Sequence, residues 1–209
     1  MVRRRSTKIE KSYHHGDLRR ELLEAGLKIL TEEGLHALTL RELARRVGVS
    51  HAAPYRHFAD RDELILALAL NGFERLAQAL GEAGKQIRSP ERQLEAMLMA
   101  YIAFGKGNMA QLTIMFSTIA AKKSETLLEA AMRAFSLLID AVGKAQSKAG
   151  RPKVNHSEIA LGLWVMVHGF AILGPGIDFN YIAPGSSDTA DDTAERVLRL
   201  TLKSLLPSA

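Results

Sequence analysis

The sequence predicts an all-α protein: an N-terminal three-helix unit joined by a long helix to a C-terminal helical bundle. Three observations carry this. Apolar residues recur at spacings of three and four, as in Leu18, Leu22, Ala25 and Ile29, which lines one side of a helix. Helix-start patterns recur as well: Thr39 with Glu42, Asp60 with Glu63 and Asn155 with Glu158 each set a capping side chain three residues before an acid. No stretch shows the alternation of a half-buried strand, and no internal repeat is visible.

Taken in order, residues 1–12 are polar and basic without apolar periodicity, and read as a flexible arm. A helix begins near Gly16 and stops at Gly34. Thr39 opens a short helix with Leu40, Leu43, Ala44 and Val47 on its inner face, ending at Gly48. Ser50 caps a second short helix running through Tyr55 to Phe58. Asp60 then opens a long helix toward Gly84, with Leu64, Leu68 and Ala69 on one side. Further helices are expected from Ser89-Pro90 to about Lys106, from Ala110 to Ala121, and from Ser124 to Lys148. Gly107-Asn108 and residues 149–152 separate them. Asn155 starts an apolar helix that Gly174-Pro175-Gly176 ends, and a last helix covers about Asp188 to Leu206. The domain boundaries that follow are an arm over 1–12, a first domain over 13–61, a connecting helix over 62–84 and a second domain over 85–209.

Composition narrows the function. A chain of 209 residues with 47% hydrophobic residues can bury a sizeable core. With no cysteine, disulfides and thiolate metal sites are excluded, which suits a cytoplasmic setting. The basic start is followed by no apolar run of the signal-peptide kind. The apolar stretch near Ile159 to Gly174 is shorter than the roughly 18 residues of a membrane span and contains His168. It reads as a buried helix, so no membrane association is expected. The net charge of +5 resides in the first third: residues 1–61 hold 13 Lys/Arg and 8 Asp/Glu, and the rest is balanced. A local basic excess suits a polyanionic partner, or else a solvated tail.

The segment from Thr39 to Phe58 has the chemistry of a helix-turn-helix. Two short helices crossing steeply need a small residue at the contact, and Ala44 supplies it. The turn needs a residue tolerant of positive φ, and Gly48 supplies that. The second element of such a motif enters the major groove of double-stranded DNA N-terminal end first. His51, Ala52, Ala53, Tyr55, Arg56 and His57 would face the DNA or support that face. Thr39, Ser50 and Arg61 are placed for phosphates, and Arg41 for phosphate or base. Phe58 reads as core, and Tyr55 as both packing its ring and offering its hydroxyl. Pro54 lies in the first turn of this element or just beyond it, where a missing N–H costs least.

These residues resemble the TetR family of bacterial regulators. The resemblance runs from Tyr13-His14-His15-Gly16-Asp17-Leu18 through Thr39-Leu40-Arg41-Glu42-Leu43-Ala44 and Val49–Phe58 to Arg61-Asp62-Glu63-Leu64, about fifty residues in order. The family usually carries Lys near Arg61, contacting phosphate, and its commoner residue at Pro54 is apolar. The second half is similar to TetR-type C-terminal domains of the WHG class, through Trp164, His168 and Gly169, with Tyr101-Ile102-Ala103-Phe104 and Met115-Phe116. The His-Pro pair frequent in that class is replaced by Asn108-Met109. The resemblance implies a homodimer on a DNA operator with effector binding in the bundle, and names no effector.

A cavity for a small apolar or amphipathic effector would be lined by Phe73, Met97, Tyr101, Phe104, Met115, Phe116, Phe135, Trp164 and His168, since Met and aromatic walls adapt to apolar ligands; each of these also has a plain core reading. Trp164 and His168 lie four apart on one helical face, each bringing a polar atom into an apolar helix. Helices near 157–173 and 188–206 carry more apolar surface than one pocket wall uses, and could form a four-helix bundle with a second copy. His14-His15 has no third ligand nearby, so no metal is expected, and no cofactor loop or catalytic constellation is visible. The expected function is a ligand-responsive repressor, not an enzyme. Two alternatives stand beside it, a regulator controlled by a protein partner and a helical enzyme or carrier.

Overall fold

The computed structural model describes residues 15–117, 124–148, 155–177, 181 and 189–205. The arm over 1–12, with His14, lies outside these. Among the described residues the secondary structure is entirely helical, in eight α-helices. They are α1 (His15–Glu32), α2 (Leu40–Val47), α3 (Arg61–Gly84), α4 (Pro90–Gly107), α5 (Met109–Phe116), α6 (Glu125–Lys148), α7 (His156–Leu173) and α8 (Ala190–Leu205). The chain divides into two compact units, Met1–Leu64 and Ile65–Ala209, with the division inside α3.

In the first unit, Leu18, Leu22 and Ile29 of α1 are buried with Leu38, Leu40, Leu43, Ala44 and Phe58. The Thr39 side chain accepts a hydrogen bond from the Glu42 N–H (3.1 Å), as the capping pattern predicts. Gly48 ends α2 with φ 77°, a left-handed conformation that an L side chain enters only with strain. The second short helix does not form as expected. Ser50 to Phe58 is a turn followed by one 3-10 turn, Pro54–Arg56, whose cap residue is Ala53 rather than Ser50. The reason lies at Pro54. It has no N–H to return to the Ser50 carbonyl, which instead accepts from Ala53 N (2.9 Å), three residues on. The bonds that follow, Arg56 to Ala53 and His57 to Pro54, keep that tighter spacing.

In the second unit, α4, α6 and α7 pack on one another and α8 closes against α4 and α7. The core runs through Leu76, Leu94, Leu98, Tyr101, Ala134, Val142, Ala160, Val167 and Leu198. Gly105 marks a close approach of α4 and α7: a Cβ there would lie 2.5 Å from Ala171 Cβ and 3.0 Å from Leu112 Cδ2. Two expectations change here. Helix α5 was expected to reach Ala121 but ends at Phe116, because Ser117 turns extended and its hydroxyl bonds the Ile114 carbonyl (3.1 Å); residues 118–121 lie outside the described set. Helix α7 starts after Asn155 and ends before Gly174 as expected, but its apolar span is longer than the stretch 159–174 suggested, 18 residues with mean hydropathy 1.4, and, though expected to be buried, only 28% of it is. Ala160, Leu163, Trp164, Val167 and Ala171 face the core, while Leu161, Val165 and Leu173 are exposed, because one chain covers only one side. Its length and composition would allow it to cross a membrane, as they would for a core helix of a bundle.

Candidate functional site

The helix-turn-helix segment presents its candidate residues outward. Thr39, Arg41, Ser50, His51, Ala52 and Arg56 are exposed, Tyr55 keeps 58% of its surface, and Ala53 and His57 are partly buried. Tyr55 therefore offers its ring as well as its hydroxyl, while Phe58 is core at 1% exposure, with the Arg19 guanidinium 5.5 Å from its ring centre. Pro54 is buried, so the same residue that prevents a regular helix also anchors the turn. Arg61, expected at a phosphate, bonds backbone carbonyls of its own unit. Its Nε donates to the Leu38 carbonyl (2.7 Å) and its Nη2 to the Leu35 carbonyl (2.5 Å), so it ties the loop before α2 to the start of α3.

An ion-pair cluster braces this segment. Arg45 donates to Glu42 through Nε (2.8 Å) and Nη2 (2.6 Å). Arg46 bonds Glu42 (3.2 Å), Glu32 (2.8 Å) and Glu33, bridging α2 to the end of α1. The hydrogen bond from Arg45, supported by Arg46, lowers the Glu42 carboxyl from the ordinary 4.5 to about 2.

In the second unit, six of the nine residues expected to line a cavity form one ring cluster. Tyr101 lies 5.0 Å from Trp164 between ring centres, Phe135 lies 5.3 Å from Trp164, and Phe116 lies 4.5 Å from His168 and 5.4 Å from Phe73. The Tyr101 hydroxyl and His168 Nδ1 are hydrogen-bonded at 2.9 Å. Tyr101 is 1% exposed, Trp164 is buried, His168 is half-buried and Phe116 is 39% exposed, so the cluster reaches the surface at Phe116. Burial pushes the Tyr101 phenol up and the His168 imidazole down from their ordinary ranges. The other three are core: Met97 in the bundle, Met115 against Gly72, and Phe104 beneath the Arg75 guanidinium at 5.7 Å.

The sequence reading passed over a polar network joining α3 to α5. Buried Gln111 donates to the Leu68 carbonyl (2.9 Å) and accepts from Arg75 Nη1 (2.6 Å), and Arg75 Nη2 reaches Asn108 (2.9 Å). Asn108 in turn donates to the Phe104 carbonyl (2.8 Å). The available signal was a lone Gln in the apolar run 110–116.

Helices α7 and α8 also leave apolar surface open. Between them lies a hollow of about 430 Å³ whose walls include Ile159, Gly162, Met166, Thr201 and Leu205. Leu161, Val165 and Leu200 are each more than half exposed. Among the described residues no group of three or more His, Asp or Glu could hold a metal ion.

Residues 22–68 match the profile of "Bacterial regulatory proteins, tetR family", and residues 94–201 that of "Tetracyclin repressor-like, C-terminal domain". The second is a broader description than the WHG class. The HTH-type transcriptional regulator BetI of Brucella canis is 31% identical over 96 residues, 46% of this chain and 48% of that one. The chain thus spans about half the length of the curated relatives it matches. A solved Rhodococcus sp. RHA1 protein of unknown function is 32% identical, with a TM-score of 0.80 over 94% of this chain and 100% of its own. The TetR family transcriptional regulator PfmR of Thermus thermophilus shares the fold, at 20% identity and a TM-score of 0.64 over 90% of this chain and 97% of its own.

Proposed function

The chain belongs to the tetR family of bacterial regulatory proteins, a family of DNA-binding transcriptional regulators, and from that premise we propose that it acts as a ligand-responsive repressor in the cytoplasm. Two copies pair through α7 and α8 and present their reading segments to successive major grooves, about 34–36 Å apart, on a near-palindromic operator. A small apolar or amphipathic molecule seated at the ring cluster releases the operator.

The observation that carries the DNA reading is the exposed row of Arg41, His51, Tyr55 and Arg56 around the left-handed turn at Gly48. In this reading Tyr55 and Arg56 touch bases, with Ala52, Ala53 and His57 beside them. Thr39, Ser50 and Arg41 hold phosphates, which fixes register without reading sequence. Arg61 contributes chiefly by holding the loop before α2.

Ligand control is supported by the position of α5. Phe116 at its end is part of the ring cluster, and Asn108 and Gln111 at its start bond Arg75 and Leu68 of α3. A ligand that displaces Phe116 therefore acts on α3, which continues back to Arg61. It shifts the equilibrium only by its difference in affinity for the two states.

The test begins with operator selection from genomic DNA by the purified protein. Tyr55→Ala and Arg56→Ala should each weaken binding to the selected site by ~30-fold or more, about 2 kcal/mol, while the dimer persists. Unchanged affinity in an anisotropy titration would overturn the assigned reading segment.

A further inference from the structure

The hydrogen bond inside the ring cluster determines which way His168 faces a ligand chemically. Tyr101 is 1% exposed, and its hydroxyl oxygen lies 2.9 Å from His168 Nδ1. The phenol proton must find an acceptor within the bundle, because a buried donor without one is strongly disfavoured. Were Nδ1 the donor, the phenol's own proton would be left without that acceptor. The phenol therefore donates, Nδ1 accepts through its lone pair, and the proton of the neutral imidazole resides on Nε2. Burial keeps both groups neutral near pH 7, holding the imidazole below and the phenol above its ordinary range.

His168 is only half-buried, and its ring is 4.5 Å from that of Phe116, which is 39% exposed. The Nε2–H is thus a donor on a half-buried ring in an otherwise apolar cluster. Among the described residues of the cluster, the rings of Phe73, Phe116, Phe135 and Trp164 carry no charge to neutralise a carboxylate or an ammonium, so a charged group held against them loses hydration without an ionic partner.

On the reading of this cluster as the effector site, we infer that the effector is an uncharged apolar molecule whose polar anchor is a hydrogen-bond acceptor, a carbonyl oxygen of a ketone, ester, lactone or amide, received by the Nε2–H of His168. Tyr101 is a positioning residue that selects the imidazole tautomer and so rejects molecules that only donate.

The chain has one tryptophan, and it stands in the cluster, so fluorescence of the full-length protein reports binding there directly. Titrations would use 4-phenylbutan-2-one, butylbenzene, the 4-phenylbutan-2-amine cation and the donor-only 2-benzylpyrrole. The ketone is expected to bind saturably, at least about fivefold more tightly than each of the others. His168→Phe (or His168→Leu, should the larger ring prevent native helical content) is expected to bring the ketone level with butylbenzene. Tyr101→Phe frees Nδ1, so the ketone should lose its advantage over 2-benzylpyrrole while still exceeding butylbenzene. Equal wild-type affinities for ketone and hydrocarbon, or a ketone preference that survives loss of the imidazole, overturn the acceptor assignment and leave the site standing. A saturable response to none of the four overturns the site and the inference together.

Discussion

Single residues decide how closely the backbones approach and which way the turn runs. Gly48 and Gly105 are both glycines for backbone reasons, but different ones. At Gly48 a Cβ would meet nothing within 4 Å, so only the φ of 77° restricts it. At Gly105 the Cβ would strike Ala171 and Leu112, and Ala171 has no flexible end to yield. Gly105→Ala should therefore lower the stability of the C-terminal unit by about 1–2 kcal/mol, overpacking outweighing the better helix propensity of alanine. An earlier urea midpoint for the loss of Trp164 fluorescence checks this. The need at Gly48 was legible from sequence, because a glycine closing a capped apolar helix points to a left-handed turn. That at Gly105 was not, since its neighbours include a residue of a helix distant in the chain.

Among elements, the helix-turn-helix segment shows how local chemistry and its exceptions work together. The capping of α2 by Thr39 was readable because the bond is made within four residues. The brace of Arg46 on Glu32 and Glu33 was not, because it requires α1 and α2 to be packed first. Glu42 makes this brace sensitive to acid. Its folded pKa of about 2 lies below the ordinary 4.5, so its contribution is full above about 4.5 and is lost as pH falls toward 2. Glu42→Gln should remove that part of the acid dependence, giving a flatter stability profile for the N-terminal unit between those values. Helicity followed by circular dichroism across that range would reveal it; a slope matching that of the unsubstituted chain would refute the role of the carboxylate. Pro54 was legible as an irregularity but not in its extent. The bonds from Ala53, Arg56 and His57 all span three residues, and four-residue spacing returns only at Phe58, whose N–H also reaches the Pro54 carbonyl.

At the scale of the molecule, the exposed face of α7 is the feature most in need of a partner. Leu161 and Val165 stand one turn apart, each more than half exposed, beside Leu200 of α8 and an apolar hollow between the two helices. Contiguous exposed apolar side chains of this kind suit the interface proposed above. The proposed pairing places these residues at its centre, so Leu161→Glu and Val165→Glu should each weaken self-association by at least ~100-fold, close to ~3 kcal/mol. Light scattering at micromolar concentration would then report a monomer, with helical content preserved. A dimer that persists in both variants would move the interface off this face.

The amino-acid sequence by itself determined the helical class, most helix starts and stops, the capped helix and left-handed turn of the motif from Thr39 to Phe58, and nine aromatic, Met and His candidates that include the six of the ring cluster. Periodicity, capping and glycine tolerance act over a few residues, so they can be read without a fold. The tertiary structure alone decided that Tyr101 and His168 share a hydrogen bond, that Arg61 serves the Leu35 and Leu38 carbonyls, that Gln111 and Arg75 link α5 to α3, and that α7 is half open. Each depends on atoms brought together across 23 to 67 positions of chain or on which side of a helix its neighbours cover, and helical spacing alone specifies neither.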